Sequence, residues 1–386
     1  MTTEKAQPLT MTLTEQPSRN LEGGQLEEGI ALCLSGGGYR AMVFHIGVLW
    51  RLNEVGYLPT LQRISSVSGG SITAGVLGLA WAALAFDQRG VSPLFTEKVV
   101  NPLREMACTT IDEHTILSGI FLPGSISDKL ARAYKEHLFA EATLQSLPDF
   151  PRFIFNATNV QSGALWRFEK PYMGDYRVGQ VEKPTVPLAV AVAASSAFPP
   201  LLSPCKLVIP PGACKAVPGG DLNQEPYTTS VVLSDGGVYD NLGLETAWKR
   251  YTTILVSDAG GKMAAESEPH EDWVRHSVRV LDLIDNQVRA LRKRQLIEAY
   301  QLGTRKGAYW GIRTNIQDYQ LADALPCPFP GTMELANLPT RLKAMEAAIQ
   351  ERLINWGYAV CDAALRKHVN PQLPKPDGFP YPSAGV

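Results

Sequence analysis

The chain alternates short, nearly all-apolar runs with longer stretches in which apolar residues return every three or four positions. Ile30 to Leu34 is one such run, and it stops at glycines. A strand buried on both faces of a parallel sheet has this composition. Next, Phe44, Val48, Leu49, Leu52 and Val55 fall on one face of a predicted helix, and Gly56 supplies its stop signal. Arg63 to Val67 predicts a second strand, followed through a Ser-Gly-Gly turn by an apolar helix from about Ser71 to Phe86. Phe153 to Thr158 and Ala164 to Phe168 predict two more strands, joined through Gln161, Ser162 and Gly163. Pro187 to Ala194 predicts a small-residue helix that ends at Phe198-Pro199-Pro200. Ser230 to Leu233 and Thr252 to Ser257 predict further strands, with a helix between them from Asn241 to Arg250. Strands alternating with helices imply an α/β fold.

Two stretches break the alternation. Ser203 to Thr229 is rich in Pro and Gly and is expected to be a surface excursion; Leu321 to Pro339 is a Pro-rich loop. A connecting loop is the ordinary reading of each, and a lid over a site is the alternative. Trp273 to Leu302 and Thr340 to Val369 carry long amphipathic helical patterns. The first is basic, with Arg275, Arg279, Arg289, Arg292, Lys293 and Arg294. A solvated helix face is the usual account of such a stripe, and docking to anionic lipid headgroups is the functional one. The organisation expected is a flexible arm over residues 1–28, a catalytic domain over 29–320, and a C-terminal loop and helix over 321–386 packed on it.

Composition narrows the classes. With 386 residues, 45% of them hydrophobic, the chain can bury a sizeable core. A net charge of -2 gives no reason to expect nucleic acid as a bulk partner. The six cysteines show no zinc spacing; Cys205 and Cys214 are the closest pair, bridgeable only in an oxidising compartment. The longest apolar run, Ala74 to Phe86, falls short of the roughly 20 residues of a membrane span. The expectation is a cytoplasmic protein able to meet the inner face of a membrane.

Three glycine motifs carry the candidate chemistry. Ser66-Val67-Ser68-Gly69-Gly70 lies between a predicted strand and a predicted helix, the setting of a nucleophile elbow, in which a tight turn projects a serine into a cleft. Ser68 is favoured over Ser65, Ser66 and Ser71 because it stands at the strand end, just before the paired glycines. Gly36, Gly37 and Gly38 also follow a strand and open a helix, so their N–H groups are candidate oxyanion donors, with Arg40 as a nearby fixed charge. A phosphate loop is disfavoured, since no Lys follows, and a dinucleotide fingerprint fails at Ala41. Asp235, followed by Gly236 and Gly237, is the candidate general base, with Asp258 as the weaker alternative. For a triad His270 has the right order, but it sits in a charged helix start, and His45 either packs or lines the cleft. A Ser-Asp dyad is therefore preferred.

Taken together and in order, Gly36-Gly37-Gly38-Tyr39-Arg40, Ser66-Val67-Ser68-Gly69-Gly70 and Asp235-Gly236-Gly237 resemble the motifs of the patatin-like phospholipase family. Ala194 to Pro200 is similar to a family segment between nucleophile and acid, and Ser35 to Ala41 is similar to the cytosolic phospholipase A2 group. The likeness runs from about Ile30 to Gly261, with one departure: Ser66 stands where the family has glycine. The resemblance implies a three-layer α/β/α sandwich with a mainly parallel central sheet and C-terminal helices. It also implies a Ser68-Asp235 dyad that hydrolyses fatty-acyl esters of phospholipids or lysophospholipids at a membrane surface, with no cofactor and no metal. An acyltransferase with the same dyad is one alternative. A phospholipase effector gated by a small-molecule activator or by assembly into a homo-oligomer is another.

Overall fold

The computed structural model describes residues 26–111, 126–200 and 202–386. Most of the arm expected over 1–28, and His114, lie outside the described residues. The strands are β1 (Glu27–Leu34), β2 (Leu61–Ser66), β3 (Arg152–Asn159), β4 (Ala164–Phe168), β5 (Tyr172–Asp175), β6 (Gly179–Glu182), β7 (Cys205–Val208), β8 (Cys214–Lys215), β9 (Ser230–Asp235), β10 (Tyr251–Asp258) and β11 (Lys306–Gly311). The helices are α1 (Gly38–Glu54), α2 (Gly69–Ala80), α3 (Asn101–Met106), α4 (Ile126–Tyr134), α5 (Leu188–Ser195), α6 (Gly237–Asp240), α7 (Glu245–Trp248), α8 (Trp273–Gln301), α9 (Phe329–Ala336) and α10 (Ala347–His368).

All eleven strands join one mixed sheet. Its central part, β11-β10-β1-β2-β3, is parallel throughout. Beyond β3 it turns antiparallel through β4, β5, β6 and β8, and β9 pairs antiparallel with β3 while taking β7 on its other side. Helices cover both faces. Leu32 and Leu34 of β1 face the main core with α1, α2 and α10, while Ala31 and Cys33 face a smaller core with Leu242, Leu244 and Leu296. Burial on both sides is why the β1 run has no polar alternation.

The C-terminal helix is built into this frame. A Cβ on Gly47 of α1 would fall 1.9 Å from the Ile354 carbonyl oxygen of α10, and one on Gly357 would fall 2.0 Å from that of Phe44. The two backbones therefore meet where only glycine fits.

Several elements differ from the sequence expectation. The helix after Ser68 ends at Ala80 and passes into a short 3-10 turn rather than reaching Phe86. The helix expected from Asn241 to Arg250 is reduced to the single turn α7, and the short α6 ends before it at Asp240. The break comes at Gly243 (φ 64°), and the Asp240 carboxylate accepts N–H bonds from Leu242 (3.2 Å) and Glu245 (2.7 Å) across it. Ser203 to Thr229 is not a plain surface excursion, because it contributes β7 and β8 to the sheet. The last helix starts at Ala347, so Thr340 to Glu346 runs outside it. Cys205 and Cys214 are both free thiols. No described helix is long and apolar enough to cross a membrane.

Candidate active site

β2 ends at Ser66 and α2 begins at Gly69, which leaves Ser68 to make the turn at φ 51°, ψ −121°. A side chain in this backbone region costs of order 1–3 kcal/mol and persists only where its surroundings hold it. Here the Ser195 hydroxyl accepts the Ser68 N–H at 3.1 Å and donates to the Asn156 carbonyl at 2.6 Å. The glycines that follow allow close passage: a Cβ on Gly69 would lie 2.1 Å from the Gly38 carbonyl oxygen, and one on Gly70 would lie 2.4 Å from that of Leu34.

The rival hydroxyls are spent on the interior. Ser65 donates to the Gly243 carbonyl at 2.6 Å, Ser66 to that of Ile154 at 3.0 Å, and Ser71 sits 3.0 Å from the Ser66 hydroxyl and 2.9 Å from that of Ser195. Ser66 is the last residue of β2 and lies outside the positive-φ region, so a serine fits there. Of the four, Ser68 alone lines a cleft of about 550 Å³.

Asp235 lines the same cleft from the end of β9. Its N–H donates to the Ala197 carbonyl at 2.9 Å, and the Gly236 N–H to that of Ser195 at 3.3 Å. The Ser195–Ala197 segment thus ties the backbone of the serine turn to that of the acid. Asp235 Oδ1 accepts the Gly237 N–H at 2.7 Å, while buried Oδ2 has no well-formed hydrogen bond. Burial pushes the Asp235 carboxyl up to about 7; the Gly237 N–H and the Ser68 hydroxyl pull it back, and Asp285 raises it further. The Ser68 hydroxyl is therefore near enough to act on the acid, though the contact is looser than a formed hydrogen bond.

The glycine loop divides its labour. Gly36 N–H is already given to the Asn241 carbonyl at 3.1 Å, which departs from the expectation that it faces an oxyanion. A Cβ there would come within 2.4 Å of Asn241 Oδ1 and 3.1 Å of Ser68 Cβ, so Gly36 provides room for the serine turn. Gly37 (φ 143°) and Gly38 (φ 61°) line the cleft. Their N–H groups, and that of Gly69 at the start of α2, have no acceptor among the described residues. Arg40 is buried and its guanidinium is occupied: it donates to the carbonyls of Ala259 (3.2 Å) and Leu338 and to the Thr340 hydroxyl (3.0 Å). Desolvation lowers its pKa to about 10.

No described histidine lines this cleft. His45 is buried between the Ser257 hydroxyl and the Ser35 carbonyl, at 3.0 Å from each, and burial lowers its pKa to about 4. His270 is exposed. Among the described residues no cluster of His, Cys, Asp or Glu could hold a metal.

The family model for patatin-like phospholipase matches residues 32–248. The chain belongs to the patatin-like phospholipase family. That family is one of ester-hydrolysing enzymes. The chain resembles human GIVD cytosolic phospholipase A2 at 14% identity and a TM-score of 0.48, over 86% of this chain and 58% of that one. For the same human protein in complex with methyl gamma-linolenyl fluorophosphonate the values are 15%, 0.49, 87% and 57%. For VipD from Legionella pneumophila they are 16%, 0.34, 93% and 72%. The chain thus spans about three-fifths of the length of the phospholipase A2 structures. No curated protein sequence matches it.

Within this patatin-like domain the sequence reading missed three things. Ser195 was noted as part of a family-like segment, but its grip on the Ser68 N–H shows only in the fold. The Gly69 N–H has a signal in the elbow motif itself, since the residue after the nucleophile commonly donates to the oxyanion. Most of the basic stripe on α8 is paired, because Arg275, Arg279, Arg289 and Arg292 meet Asp272, Glu266, Asp258 and Glu245. α8 also exposes apolar residues: Trp273 is 81% exposed, and Leu281, Ile284 and Leu291 are each more than half exposed.

Proposed function

We propose that this protein is a serine lipid acyl hydrolase of the phospholipase A or lysophospholipase type, with Ser68 as nucleophile and Asp235 as its base. One observation carries the reading. A strained serine and a carboxyl raised to about 7 open onto one cleft, beside backbone N–H groups that have no acceptor.

In the first step Ser68 Oγ attacks the ester carbonyl carbon and its proton passes to Asp235 Oδ2. The carbonyl oxygen becomes an oxyanion held by Gly37 and Gly38 N–H, with Gly69 N–H as the third donor. One such donor is worth about 3–4 kcal/mol in the transition state. Arg40 acts by bracing the glycine loop against Ala259 and Leu338. Collapse of the tetrahedral centre breaks the ester C–O bond, and Asp235 returns its proton to the departing alcohol. Water then attacks the acyl-enzyme with Asp235 again as base, releasing fatty acid and restoring Ser68. A carboxyl near 7 suits both roles close to neutral pH.

The substrate class is supported by what surrounds the cleft. Phe198 lies in its wall and is part-exposed, and α8, whose inner face lines the cleft, carries the exposed Trp273, Leu281, Ile284 and Leu291. An apolar patch beside a cleft fits a lipid surface.

The test is fatty-acid release from phosphatidylcholine vesicles by wild type, Ser68→Ala and Asp235→Asn. The reading expects release by wild type alone, and equal release by all three rejects it. Transfer of the acyl chain to added glycerol instead of water moves the reading to an acyltransferase.

A further inference from the structure

A second cavity, of about 580 Å³, opens outside the carboxyl ends of β10 and β11. This edge of a parallel sheet is where α/β proteins place ligands. Its charged lining consists of Asp258, Lys262, Lys293, Arg313 and Asp318, and His368 and Tyr309 add an imidazole and a phenol. Lys262, Lys293 and Arg313 come from three different segments: the loop after β10, the C-terminal half of α8, and the turn after β11.

These cations differ from the others on α8. Among the described residues none of the three makes a hydrogen bond or an ion pair, while the neighbouring arginines of α8 are matched to carboxylates. Lys293 Nζ stands 4.5 Å from the centre of the Tyr309 ring. Desolvation lowers its pKa, Asp258 opposes that, and Arg313 and Arg289 add to the lowering. Asp258 does not neutralise the group, because its carboxylate is already engaged. It accepts the Gly260 N–H at 2.8 Å and the Tyr309 hydroxyl at 2.7 Å, and it faces Arg289 at 3.7 Å. Asp318 is exposed. Lys293 and Arg313 repel each other here, Asp258 is shared with Arg289 and Tyr309 and offsets them only in part, and a multiply charged anion removes the remaining cost.

We propose that this cavity binds a phosphate-bearing anion at a site separate from the acyl-hydrolysing cleft. Lys293 and Arg313 are its principal contacts, and Lys262 closes the side shared with the cleft. Lys and Arg together suit a phosphate dianion, one as a point charge and the other as a planar fork. Phe329 and Met333 add an apolar wall for whatever carries the phosphate. The site adjoins the cleft: Lys262 lines both, and the Asp258–Arg289 pair has its acid in one and its base in the other.

Binding tests this without relying on turnover. Calorimetric titration with pyrophosphate probes a soluble phosphate. Flotation of Ser68→Ala protein with phosphatidylcholine vesicles, with and without phosphatidic acid, probes a headgroup. The expected result is saturable binding of one probe, weakened about tenfold or more by Arg313→Ala and by Lys293→Ala. Arg294→Ala, an exposed cation of α8 outside the cavity, leaves it unchanged. Pyrophosphate binding identifies a soluble ligand, and capture only by phosphatidic acid identifies a lipid one. Arg313 has no hydrogen-bond or ion-pair partner to lose, so the variant is expected to keep the wild-type melting temperature. Absence of binding to both probes, or equal binding by wild type and both cavity variants, overturns the proposal.

Discussion

Asp235 and Asp258 stand at equivalent places. Each ends a strand of the same sheet, each is followed closely by paired glycines, each is buried, and each takes a backbone N–H two residues on, at 2.7 Å from Gly237 and 2.8 Å from Gly260. Their charge states diverge. Burial raises the carboxyl of Asp235 to about 7 with no cation to offset it. Burial acts the same way on Asp258, but Arg289, the Tyr309 hydroxyl and the Gly260 N–H together hold it below the usual carboxylate value. A strand-end aspartate in an Asp-Gly setting is thus either a base or an anchor, and the partners that long-range folding brings decide which.

The sharpest way to break this contrast is by activity. Asp235→Asn and Ser68→Ala are each expected to lower kcat/KM by about 10³-fold or more in a fatty-acid release assay, whereas Asp258→Asn acts mainly through stability. Comparable losses of activity from Asp235→Asn and Asp258→Asn at matched folded fraction would erase the distinction.

Stability gives the next contrast. Removing the Asp258 charge leaves Arg289 buried without its carboxylate, at a cost of about 3 kcal/mol in urea unfolding at neutral pH. Because its folded pKa is depressed, this stabilisation is present above the unfolded value and fades as pH falls through the folded one.

The pH profile follows. Asp235 works as a base only when deprotonated, so kcat/KM is expected to fall about tenfold per pH unit below about 7 and to level off above it. A profile flat from pH 5 to 9 contradicts the assignment.

The last effect has the opposite sign to intuition. A folded pKa near 7 means that folding favours neutral Asp235. Its contribution is full below the unfolded value and is lost as pH rises through about 7. Asp235→Asn is therefore expected to be more stable than wild type at pH 8, with the gap closing near pH 4.

The sequence showed the local parts and hid the long-range ones. The β1 run, the helix through Phe44 and Leu52, and the turn at Ser68 are legible because burial on both faces, helical period and paired glycines are properties of neighbouring residues. The antiparallel strands were not all legible. β5, β6 and β8 are two to four residues long, too short to display a period. The break between α6 and α7 depends on the Asp240 carboxylate folding back on Leu242 and Glu245. The pairing of the α8 stripe was not legible because Arg279, Arg289 and Arg292 are matched by acids on other segments, and no spacing within the helix shows that. The dyad partners lie 167 residues apart in sequence, and the Ser195 hydroxyl and Ala197 carbonyl that tie their backbones together act only across the folded sheet.

The most direct measurement is the site and rate of reaction with a fluorophosphonate probe at pH 8, read by mass spectrometry in wild type, Asp235→Asn and Asp258→Asn. The account predicts a single adduct on Ser68, formed far more slowly in Asp235→Asn and at close to the wild-type rate in Asp258→Asn. An adduct on a different serine, or equal labelling of Ser68 in wild type and Asp235→Asn, contradicts it.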